Sequence, residues 1–219
     1  MNPTTAMKQC RLNIEDFLGI CVPSCRMKKV AKQMSFHTLH LTVGEFDKMV
    51  RLGAFDNTHR KIELFRGELI EMNPAGPVHD DLIIYLNNWS MRVIDSSQTL
   101  VTSQTGLDLP EQSSRPEPDL MWLGSRRYKD GHPRASDVQL AIEVSDSSLE
   151  KDLQDKGHLY AEAGIIEYWI IDAPSNLVHV YRRPSAHGYE ERLKFGMGDF
   201  VSPSCRESAV LHVDELFGC

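Results

Sequence analysis

Hydrophobic positions along this chain change period several times, and each change predicts an element. Thr42 followed by Glu45 has the form of a capping box, and Val43, Phe46, Met49, Val50 and Leu52 approximate a helical stripe, so a short helix ending near Gly53 is expected. "KIELFRGELIEM" alternates on both sides of Arg66 and Gly67, the pattern of a hairpin. After the break at "NPAGP", Leu82, Leu86, Trp89 and Val93 recur at helical spacing, predicting a helix from about Val78 to Asp95. "LVTSQTGLDL" reads as one extended strand and "DLMWL" as another, with a loop between them; the turn-rich "GSRRYKDGHPRAS" reads as an exposed connection.

The next segment carries the most information. In Val138–Ser145 alternation puts Val138, Leu140, Ile142 and Val144 on one face and Ala141, Glu143 and Ser145 on the other. A core-facing strand thus carries a carboxylate on its second face. Ser147 with Glu150 predicts a capping box, starting a helix that runs through Ala163 to a terminal Gly164. The strand "EYWIID", a hairpin from "NLVHVYRR" and "GYEERLKF", and a short helix at "VDELF" complete the chain. This order indicates an α/β or α+β domain with a central mixed sheet.

Composition narrows the function classes. The 219 residues suit one domain, expected over 36–219, with 1–35 as a disordered or loosely attached extension whose Met34 could be a shorter natural start. No apolar run approaches the roughly 18 residues of a membrane helix, and Phe17 to Val22 is too short for a signal peptide, so a cytoplasmic protein without a membrane partner is expected. Five cysteines lack the His or Cys partners of a structural zinc site and read as free thiols. A net charge of −7 argues against a general nucleic-acid coat. Basic residues cluster locally at Arg126, Arg127, Lys129 and Arg134, and at Arg182 and Arg183, either as solvated loop charges or as a contact surface.

Asp119 opens one strand and Glu143 lies late in the next, so neighbouring strands would let both carboxylates converge on one hard cation. The stretches "PEPDLMWL", "LAIEVSDSS" and "DLQDKGHLYAEAGIIEYWIID" together resemble the Uma2 family of restriction-endonuclease-like proteins, within the PD-(D/E)xK nuclease superfamily. The likeness extends upstream through "IELFRGELIEM" and His79 and covers about residues 40–217. It implies a restriction-endonuclease-like core, binding of magnesium (or manganese) by Asp119 and Glu143, hydrolysis of DNA phosphodiesters, and a homodimer able to cut both strands of a duplex. The superfamily's lysine is missing at Ser145, and the resemblance points to Lys156, on the following helix, as its replacement. Against this, Lys156 could form an ordinary helical pair with Asp152 on a solvated face. Glu68, after the hairpin glycine, matches a further acidic position, and His79 matches a position able to orient phosphate or water. No chemistry is expected of Glu167, Tyr168 or Trp169, nor of His37 and His40 in their extended segment. The alternative function is a nuclease-fold DNA-binding or regulatory module without turnover.

Overall fold

The computed structural model describes residues 38–56 and 60–218, so the expectations for residues 1–35 and for His37 lie outside the described residues. Helix α1 (Val43–Arg51) begins with the capping box: Glu45 N donates to Thr42 Oγ1 at 3.3 Å and Thr42 N donates to Glu45 Oε2 at 2.9 Å. Val43 and Phe46 are buried, whereas Val50 and Leu52 of the predicted stripe are exposed. The hairpin pairs β1 (Lys61–Phe65) with β2 (Glu68–Met72) through Arg66 and Gly67, both at positive φ, as a two-residue primed turn requires. Only glycine fits the second position, because a Cβ there would lie 2.7 Å from His40 Cβ. Helix α2 (Pro77–Val93) starts with proline in its first turn, where the missing N–H costs nothing, and buries Leu82, Leu86 and Trp89.

The central sheet has six strands: β3 (Thr99–Ser103), β4 (Leu120–Gly124), β5 (Val138–Ser145), β6 (Glu167–Asp172), β7 (Leu177–Ser185) and β8 (Gly188–Phe195). They lie in chain order, antiparallel except for the parallel β5–β6 pair, whose connection carries the helical segment. β9 (Phe200–Val201), β10 (Leu211–His212) and α5 (Val213–Leu216) close one side. The expected long strand "LVTSQTGLDL" stops at Ser103, because Gln104 turns to φ 48°. Leu107 and Leu109 then enter the core from a loop held by Leu107 N to Pro116 O at 2.8 Å.

The sheet has two packed faces. On one, Leu82, Leu86 and Trp89 of α2 meet Trp122, Leu140, Ile142 and Trp169, with the Trp89 ring 5.5 Å from Trp122 and 6.1 Å from Trp169. On the other, Leu159 and Tyr160 cover Met121, Ala141, Tyr168 and Ile170. Each leucine, isoleucine or methionine among them, taken from water, stabilises the fold by about 1.5–3 kcal/mol. Val138 belongs to this second face, not with Leu140 as alternation predicts. Trp122 pairs with Leu140 and Leu123 with Val138, so Gln139 is a bulge that reverses the alternation.

The segment after β5 also departs from expectation. It consists of α3 (Leu149–Lys151), a π-helical stretch Asp152–Lys156, and α4 (Gly157–Glu162). The Ser147–Glu150 box does not form. Ser148 is the N-cap, and its hydroxyl donates to Asp152 Oδ2 at 2.5 Å instead of capping the backbone. Gly164 at φ 83° ends the segment as predicted, with Gly164 N donating to Ala161 O at 3.0 Å.

Candidate active site

Leu120 pairs with Ile142, so Asp119 and Glu143 occupy facing positions at the ends of β4 and β5. Asp119 Oδ2 accepts a 2.8 Å hydrogen bond from Val144 N and lies 3.3 Å from His79 Nε2, in the first turn of α2. Glu143 Oε1 accepts from the Tyr160 hydroxyl at 2.8 Å and is 2.8 Å from Lys156 Nζ. Lys156 is 2% exposed, so the solvated-face alternative fails. The i, i+4 pairing with Asp152 does exist, at 3.7 Å, but inside the protein.

Ser145 is the key to this placement. Its hydroxyl donates to Asp152 Oδ2 at 2.6 Å, joining Ser148 on the same oxygen and leaving Asp152 Oδ1 toward Lys156. The place next to Glu143 where a strand lysine would stand is thus taken by a serine that holds the aspartate facing a helix lysine. The π-helical stretch supplies both Asp152 and Lys156, and such wide turns recur at functional sites.

Asp119, Glu143, Asp152, Lys156, His79 and Glu63 line one cavity of about 440 Å³. Glu63 was not anticipated from the sequence. It projects from β1, is 2% exposed and accepts a 3.3 Å hydrogen bond from Glu117 N. Glu68 lies on β2, exposed and outside the cavity lining, so the structure does not bring it to the other predicted residues. The basic clusters are largely neutralised on the surface or in the core. Arg126 pairs with Asp137 at 2.8 Å, Lys129 with Asp130 at 2.7 Å, Arg182 with Glu167 at 2.9 Å and Arg183 with Glu191 at 3.6 Å.

Charge in the cavity is out of balance. Four of its buried side chains are carboxylates, Glu63, Asp119, Glu143 and Asp152, and only one is a lysine, Lys156, beside a partly buried His79; Arg60, Lys61 and Lys151 line it from less buried positions. Burial pushes Glu143 well above the usual carboxylate range; Lys156 pulls it down, and the neighbouring carboxylates push it up again. Burial also raises Glu63, with Lys156 opposing. For Lys156 burial favours the neutral amine, but Glu143, Glu63 and Asp152 outweigh it and keep the ammonium charged. Burial disfavours ionised Asp119 too, yet the bonds from His79 and Val144 N, with the Lys156 charge, hold its carboxyl below its usual value. The Asp119 hydrogen bond raises His79.

This donor set suits a hard divalent cation. Magnesium is commonly held by one or two carboxylates, with water and substrate phosphate completing the sphere. Among the described residues no group of three or more His, Cys, Asp or Glu forms a protein-only metal cage. Asp119 Oδ1 and Glu143 Oε2 are the oxygens not engaged in the bonds above, and a dication would offset the local excess of negative charge.

Comparison with known proteins gives the fold and the family. A crystal structure of a protein from Anabaena variabilis ATCC 29413, titled "a putative nuclease belonging to DUF820", superposes with a TM-score of 0.65 at 17% identity, covering 81% of this chain and 98% of that one. The two share a fold: a mixed central sheet flanked by helices. No curated protein matches the sequence. A sequence model of the Uma2 family, described as "Putative restriction endonuclease", matches residues 43–211, and this chain belongs to the Uma2 family.

Proposed function

We propose that the protein is a magnesium- or manganese-dependent DNA endonuclease, with Asp119 and Glu143 holding the metal and Lys156 as the catalytic lysine. The observation that carries this reading is the 2.8 Å approach of a buried lysine ammonium to Glu143 in the cavity that Asp119 also lines. A divalent cation, when bound, supplies charge neutralisation and a more acidic water. Lys156 stays protonated among its carboxylates, so it acts as a hydrogen-bond donor and not as a general base. Its ammonium orients the attacking water and stabilises negative charge developing on the phosphoryl oxygens. Hydrolysis joins the oxygen of water to phosphorus and breaks the P–O3′ bond, leaving a 5′-phosphate and a 3′-hydroxyl. Asp152, fixed by Ser145 and Ser148, positions Lys156, and His79 positions Asp119.

A homodimer is part of the proposal, because two related sites make the simplest double-strand cut; light scattering of the purified protein measures it. The decisive experiment incubates the protein with supercoiled and linear DNA plus magnesium or manganese, beside Asp119→Ala and Lys156→Ala. Metal-dependent cleavage lost in both variants supports the assignment, and cleavage that survives in both overturns it. DNA binding without cleavage under any condition would instead identify a binding or regulatory module.

A further inference from the structure

Beyond the reacting groups, the cavity mouth carries a cation whose partner is unusually weak. Lys151, on α3, places its Nζ 3.5 Å from Met72 Sδ at the end of β2. A thioether is a poor acceptor. Among the described residues no carboxylate forms an ion pair with Lys151, whereas the other cations lining the cavity are paired. Arg60 meets Glu71 at 3.1 Å, Lys61 meets Glu117 at 3.2 Å, and Lys156 meets Glu143.

We infer that Lys151 anchors a backbone phosphate of the DNA substrate adjacent to the phosphate that is hydrolysed. This rests on the nuclease reading above. A lysine is a mobile point charge suited to phosphate, and exchange of a thioether contact for a charged oxygen is favourable. The need for such an anchor follows from the lining itself: carboxylates outnumber lysine and arginine in the cavity, so a polyanion is repelled there unless a cation at the rim receives it. Lys151 is the rim cation that can do so without breaking an ion pair. Its ammonium also bridges the hairpin to α3 across the mouth, so substrate entry would replace that bridge. The contact is to phosphate, so it binds without reading sequence.

The test is DNA affinity as a function of salt, measured by fluorescence anisotropy on the full chain with a short labelled duplex and calcium in place of magnesium. Each phosphate contact contributes about 0.9 to the slope of log K against log salt. Lys151→Ala is expected to lower the magnitude of that slope by about 1, Lys151→Arg to retain it, and Lys129→Ala, which removes an exposed cation already paired with Asp130, to leave it at the wild-type value. Wild-type binding with an unchanged slope in Lys151→Ala overturns this inference alone, as does an equal loss in Lys129→Ala. Failure of the wild type to bind DNA at all overturns the nuclease reading together with it. Circular dichroism of each variant checks that the fold is retained.

Discussion

Two glutamates on adjacent strands, Glu143 of β5 and Glu167 of β6, are both buried with a cation, yet they serve different ends. Glu167 is fully enclosed and satisfied. Oε1 accepts from Trp169 Nε1 at 2.7 Å and from Arg182 at 2.9 Å, and Oε2 accepts from Ser204 N at 2.7 Å and from the Ser204 hydroxyl. One carboxylate meets one guanidinium, outside the cavity that Glu143 lines. Glu143 meets one lysine shared with Glu63 and Asp152, beside Asp119, and opens on a cavity. Burial of charge therefore does not mark the site. Charge buried out of balance, next to space for a ligand, does.

The largest expected contrast is catalytic. Lys156→Met should reduce cleavage by about 10²–10³-fold, the range for loss of one preorganised donor to developing negative charge, while Arg182→Met should leave turnover per folded molecule unchanged. Equal losses in the two variants, measured as initial rates on supercoiled DNA, would erase the distinction. Next is a contrast of sign. Glu167→Gln turns an amide N–H₂ toward existing donors and should cost about 3 kcal/mol, the low end for breaking a buried pair, since Arg182 keeps some water contact at 23% exposure. Glu143→Gln removes one of the crowded charges and should stabilise the metal-free protein by about 0.5–2 kcal/mol while removing activity. Urea denaturation in a chelator reads both. Destabilisation by Glu143→Gln would mean that the Lys156 pair, not the repulsion, dominates.

How much of this was legible in the sequence divides along physical lines. The hairpin, α2, β5 and the helical segment after it follow from period and turn residues, and Asp119, Glu143 and Lys156 follow from those elements plus the family likeness. Departures come where a local signal lost to a tertiary partner. The helix starts one residue later than the predicted Ser147–Glu150 box, with Ser148 as its N-cap, and the Ser148 hydroxyl is committed to Asp152 instead of the backbone. Gln139 bulges between paired strands, so Val138 changes face. Gln104 turns left-handed, ending β3 six residues early. In the hairpin the sequence offers three glutamates, Glu63, Glu68 and Glu71, and alternation alone cannot say which is buried, because the cavity that encloses Glu63 is completed by Glu117 and Lys156 from distant parts of the chain.

That ambiguity yields a smaller test of the charge-balance argument. Glu63→Gln removes a carboxylate that faces Lys156 and is expected to weaken magnesium or manganese binding by about 10–100-fold, as loss of a group supporting the ligands does. Glu68→Gln, on the exposed strand, should change stability by less than about 0.5 kcal/mol and leave metal affinity alone. Isothermal calorimetry with manganese measures the affinities without requiring turnover. Equal behaviour of the two variants would remove Glu63 from the site.

A third buried acid lies between the two extremes and allows the finest test. Asp172 on β6 faces His179 on β7, both buried, but His179 Nε2 is 3.7 Å from Asp172 Oδ2, too long for a hydrogen bond. Burial, with the charge of Lys194 opposite it across the β7–β8 pair, holds His179 below its usual value of 6.5, against the smaller pull of Asp172. In the unfolded chain this histidine takes up its proton nearer 6.5, so below that pH the unfolded state binds more protons than the folded state. Stability from this group is complete above the unfolded value and falls as pH drops from 6.5 toward the lower folded value. Wild-type urea midpoints should accordingly decline across that acidic window, and His179→Gln should flatten the decline. A decline of equal steepness in the variant would show that His179 takes up its proton alike in the folded and unfolded chain, and would remove it as a source of the acid sensitivity.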